Sequence, residues 1–131
     1  MKKSLLMSAL VLGLTSCAFS TAPADALIGE AALLVNQSPT SGEVVATAGK
    51  KSIRNVAVRL DGTGLTLTYA PEGAICLRSN DGTQVYCRVG DFTPFASVNL
   101  RYKGTVSKST LGYITGEGQV KTLVGTIVNK P

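Results

Sequence analysis

The 131-residue chain has no histidine and no tryptophan, and only three Phe and four Tyr supply its aromatic surface. Without an imidazole, Ser-His-Asp and Cys-His nucleophile systems, histidine proton shuttles and histidine-ligated metals are excluded. Aromatics at 5% of the chain leave little to stack bases on, so no nucleic-acid partner is expected. No apolar run approaches the roughly 20 residues that cross a bilayer. The length fits one modest domain.

What is present begins at the N-terminus. Lys2-Lys3 precede the apolar run Leu5 to Leu14, which is followed by Thr15-Ser16. A charged start, a short apolar core and small residues after it have the form of an export signal. Leu14-Thr15-Ser16-Cys17 resembles the lipobox of bacterial lipoproteins. The resemblance covers the first seventeen residues only. It implies cleavage before Cys17, a diacylglycerol thioether on that residue and, with Ala18 rather than Asp next, the outer membrane. Residues 1–16 are then a removable signal, 17–26 a lipidated cysteine and tether, and 27–131 one β domain. A rival cut after Ala24-Asp25-Ala26 would discard Cys17 and release the protein.

Either cut leaves Cys76 and Cys87, which an oxidising compartment favours joining. Asp81-Gly82 between them is a hairpin dipeptide, and counting outward from it pairs Cys76 with Cys87 on one side of the ladder. A two-residue turn there makes the cysteines a hydrogen-bonded pair, the wider of the two antiparallel spacings.

From Cys17 onward the chain carries 11 Lys+Arg against 8 Asp+Glu, so much of the formal charge of +5 belongs to the signal. Val, Ile and Thr make up 30 of those 115 residues, a β-favouring bias. Leu65 to Tyr69 and Val98 to Lys103 alternate apolar and polar residues with the period of half-buried strands. Asp61-Gly62-Thr63-Gly64 reads as the turn of a hairpin joining 53–60 to 65–70, and Gly116-Glu117-Gly118 as another turn. With the cysteine hairpin extended from Ile75 to Val89 and further strands at 43–47, 111–115 and 119–128, the expectation is an all-β antiparallel sandwich or small barrel of seven or eight strands. Residues 26–35 suit either a short N-terminal helix capped by Asp25 or a first strand.

Two groups are candidates for partner binding. Lys50, Lys51 and Arg54 form a basic cluster suited to an acidic glycan or phosphate, though lysines beside a strand also discourage edge pairing. Phe92 and Phe95 flank Pro94 and would either anchor a partner or plug one end of the core. Asp61, Glu72, Asp81, Asp91 and Glu117 are dispersed beside glycines, where turn chemistry accounts for them better than a catalytic pair. With no G-x-S-x-G, S-x-x-K or acidic calcium loop, the chain is expected to need no metal or cofactor and to catalyse nothing.

The expectation is a non-catalytic envelope lipoprotein, held to the membrane through Cys17, whose β domain binds a protein or glycan. An accessory subunit of a secretion or surface-structure system and an inhibitor of an envelope hydrolase both fit. The alternative is a secreted, pilus-like subunit cut after Ala26, with Leu27 to Val35 donated to a neighbour's sheet.

Overall fold

The computed structural model describes residues 29–130. Cys17, the cleavage sites and residues 26–28 lie outside them. The described chain is all-β: β1 (Ala31–Gln37), β2 (Ser41–Ala48), β3 (Ile53–Tyr69), β4 (Ile75–Arg78), β5 (Gln84–Phe92), β6 (Ser97–Thr115), β7 (Val120–Val124) and β8 (Thr126–Asn129). They form one sheet ordered β4-β5-β3-β6-β2-β1-β8, with β7 attached to β6. The sheet is open and does not close into a barrel. It is also not purely antiparallel, because β8 runs parallel to β1, Leu34 pairing with Thr126 and Gln37 with Asn129.

β6 is the spine. One of its edges pairs with β3 along most of its length, while the other takes β2 over residues 97–103 and β7 over 110–114. Alternation sends Leu100, Tyr102, Val106, Leu111 and Tyr113 inward, where they join Val35, Val44, Val56, Val58, Leu60, Val85 and Cys87 in a single core. Residues from strands this far apart in the order share one cluster because the sheet curls around them.

One alternative the sequence left open is decided, and two expectations are corrected. Residues 31–35 are strand and not helix, and Ala31, Leu33 and Val35 bury their side chains in the core. The Asp61-Gly62-Thr63-Gly64 segment does not reverse the chain: β3 continues through it as a bulge while its partner β6 runs alongside. The glycines serve close approach here, since a Cβ on Gly62 would fall 1.9 Å from Thr105 O, and one on Gly104 (φ +110°) 2.5 Å from Gly64 O. The expected strands around 98–103 and 111–115 are accordingly one strand, β6. Lastly, 119–128 is two strands. At Gly125 the chain passes so close over β6 that its N–H donates to Ser109 O at 2.9 Å, and it then joins β1.

The cysteine hairpin has the expected register, Cys76 opposite Cys87, and the two are bonded. The turn is wider than two residues. Ser79 N–H donates to Gln84 O, which makes 79/84 the closing hydrogen-bonded pair, so alternation puts the cysteines at a non-hydrogen-bonded position. Their Cα atoms stand 4.1 Å apart, the narrow spacing rather than the wide one. Asp81 holds the turn through the hydroxyl and N–H of Thr83 and the hydroxyl of Ser79, and these bonds, the Thr83 hydroxyl foremost, lower its pKa to about 2.

Candidate functional site

The basic and aromatic candidates meet at one end of the sheet. The loop between β2 and β3 carries Lys50 and Lys51, the loop between β5 and β6 carries Phe95, and Phe95 N–H donates to Gly49 O at 2.9 Å. Lys51 lies 3.9 Å from Glu117 in the β6–β7 turn, with both side chains largely in solvent. Arg54 is exposed on β3 opposite Ile114. The two phenylalanines part company: Phe92 is 4% exposed and belongs to the core, whereas Phe95 is 55% exposed and holds a left-handed backbone (φ +62°). Phe92 is therefore a plug and not an anchor. A bulky residue at positive φ is costly and is kept there only by the bonds around it.

A second site went unread in the sequence. Arg101 of β6 has Glu43 of β2 directly opposite on one side and Tyr69 of β3 on the other, so the three side chains form a row across the sheet. The Arg101 guanidinium carbon lies 5.7 Å from the centroid of the Tyr69 ring, a cation–π contact. Its Nε is 3.7 Å from Glu43 Oε2, and Asn99 Nδ2 donates to that same oxygen at 3.0 Å. Both contacts fall on Oε2, which leaves Glu43 Oε1 and Asn99 Oδ1 without partners among the described residues. Tyr69, Pro71, Ser97, Val98, Asn99 and Arg101 line an open depression of about 430 Å³. That is within the size range of small-ligand sites. Tyr69 stays half exposed beside it.

The alternation in Val98 to Lys103 did signal that Asn99 and Arg101 point outward. Nothing in the sequence could bring Glu43 and Tyr69 to them, because that depends on β2 and β3 flanking β6, with partners 58 and 32 residues before Arg101.

Three further carboxylates are engaged separately. Asp61 pairs with Arg59 at 3.0 Å, Asp91 accepts from Asn55 N–H at 3.0 Å, and Glu30 takes Lys121 at 3.1 Å and the Tyr113 hydroxyl at 2.9 Å. Hydrogen bonding from Lys121, then from Tyr113, lowers the Glu30 pKa. Among the described residues no three His, Cys, Asp or Glu side chains converge as a metal site would require.

No protein-family model and no curated protein matches the chain. Among solved structures it is similar to a GH20 exo-β-N-acetylglucosaminidase from Vibrio harveyi, crystallised with N-acetylglucosamine, at 6% identity and a TM-score of 0.47. The match covers 76% of this chain and 18% of that one, so this chain spans less than a fifth of the enzyme's length.

Proposed function

We propose that the protein is a non-catalytic lipoprotein of the bacterial envelope, tethered through Cys17, whose β domain binds a glycan in the depression at Tyr69. The observation that carries the binding role is the Tyr69–Arg101–Glu43 row with Asn99 beside it. A sugar ring offers a face of C–H groups and a rim of hydroxyls. Tyr69 supplies an aromatic surface for the first, and Glu43 Oε1, Asn99 Oδ1 and the outer guanidinium N–H groups of Arg101 supply acceptors and donors for the second. Because Glu43 is already held by Asn99 and Arg101, little side-chain freedom is lost when a ligand arrives.

Binding rather than cleavage is favoured because none of the residues lining the depression is a carboxylate, Glu43 meeting it only through its contacts to Arg101 and Asn99, and hydrolysis of a glycosidic bond ordinarily needs two carboxylates facing it. The donor-strand alternative is disfavoured because β1 already has β2 on one edge and β8 on the other.

The test is calorimetric titration with envelope oligosaccharides, peptidoglycan fragments among them. Tyr69→Ala should weaken binding about tenfold, the equivalent of about 1.4 kcal/mol, at unchanged melting temperature. Equal affinity in the variant would remove the depression from the reading. Intact mass tests the tether independently: the expected N-terminus is a diacylated Cys17, and an unmodified Leu27 would sink the lipoprotein assignment.

A further inference from the structure

The end of the sheet that carries Lys50, Lys51 and Phe95 is also where the chain joins the fold. Gly49 N–H donates to Glu30 O at 2.8 Å, and Ala31 pairs with Ala48, so whatever precedes Gly29 arrives beside the β2–β3 loop. Phe95 at 55% and Val120 at 77% expose apolar side chains at this end. The charged groups there are Lys50, Lys51, Arg54 and Lys121 against Glu30, Asp91 and Glu117. Glu30 is taken by Lys121, Asp91 by Asn55 N–H, and Glu117 is loosely shared with Lys51. Lys50 and Arg54 face no carboxylate within 4 Å among the described residues.

We infer that this end is a docking surface for an anionic lipid bilayer, with Phe95 entering the headgroup region and Lys50 and Lys51 contacting lipid phosphates. An exposed aromatic beside a loop of lysines is the pairing that interfacial binding uses, apolar area for depth and cations for headgroup charge. The left-handed backbone of Phe95 holds its ring outward in spite of the cost. The inference rests on the proposed tether for its geometry: twelve residues, 17–28, reach at most about 40 Å, so a lipid on Cys17 holds the end where the chain enters the fold within that distance of the membrane.

The absence of tryptophan provides the test, since Phe95→Trp introduces a single fluorophore. The full protein carrying F95W, and separately Y86W on β5 as a control, is mixed with excess vesicles of phosphatidylcholine alone or with one quarter phosphatidylglycerol, each containing brominated acyl chains. The expected result is blue-shifted, bromine-quenched emission from F95W, stronger in the anionic vesicles and weakened by salt, with no quenching of Y86W. Lys50→Glu with Lys51→Glu should return F95W quenching in anionic vesicles to the level seen in neutral ones, each lost cation being worth about fivefold in partition, or about 1 kcal/mol. Unquenched F95W overturns the inference. So does a blue shift that follows protein concentration and ignores lipid, which would place a second copy of the chain on this end. Flotation of the protein with the vesicles reports the tether separately, so an anchored protein with unquenched F95W rejects the docking surface and leaves the anchor standing.

Discussion

The amide of Gln37 is buried where β1 turns toward β2, and its bonds close the gap between β1 and the bulged centre of β6. Its Oε1 accepts from the Tyr102 hydroxyl and from Val106 N–H at 2.9 Å, and its Nε2 lies 3.0 Å from Gly104 O and 3.1 Å from Ser41 O. Gln37→Ala would strand those donors and acceptors out of water, a loss of about 3 kcal/mol measurable by chemical denaturation. Two tyrosines give the protein an alkaline limit. Burial raises the Tyr102 and Tyr113 pKa values to about 12, with the Glu30 carboxylate adding to the effect at Tyr113. A folded-state pKa above the unfolded value near 10 means stability that is complete below pH 10 and is lost as pH rises toward 12. Melting temperature should therefore decline across that window, and Tyr113→Phe should decline less steeply than wild type. Parallel curves would remove Tyr113 from the explanation. None of this was legible beforehand: Gln37 fell between the expected elements at 26–35 and 43–47, and Tyr113 gives no sign in the sequence that Glu30 lies beside it.

The elements were legible where alternation was local. β2, β4, β5 and the Gly116–Gly118 turn follow from period-two patterning and turn dipeptides, and the cysteine register came out of the same counting. The failures share a cause. Asp-Gly-Thr-Gly has the composition of a reversal and also that of a bulge, and which one forms depends on whether a partner strand continues alongside. Here β6 does. Gly104→Ala, which puts a Cβ against Gly64 O at positive φ, should cost at least about 2 kcal/mol, whereas Gly116→Ala, with open space around it, should stay within about 0.5 kcal/mol. Equal effects would show that the bulge tolerates a side chain. The disulfide secures a short edge strand, since β4 is four residues long and among the described residues pairs with β5 alone. Cys76→Ser with Cys87→Ser should lower stability by about 2 to 3 kcal/mol, and the same drop should follow reduction of the wild type. Identical melting of oxidised and reduced protein would contradict the staple.

At the scale of the whole molecule, composition told the class early: β-branched residues and spaced glycines made an all-β domain, and the missing histidine narrowed the chemistry. It did not show that the sheet stays open, that β8 joins it in parallel, or that β3, the loop after it and β6 assemble a depression from residues dispersed between 69 and 101. The proposed arrangement has two working regions, a basic, aromatic end where the chain enters the fold and a polar depression with a tyrosine wall elsewhere on the sheet. The most direct measurement of the glycan-binding claim is a titration of isotopically labelled protein with envelope oligosaccharides, followed by amide and side-chain shifts. The account requires saturable shifts centred on Tyr69, Asn99 and Arg101 with Glu43. Shifts confined to another surface, or none with any envelope glycan, would contradict it.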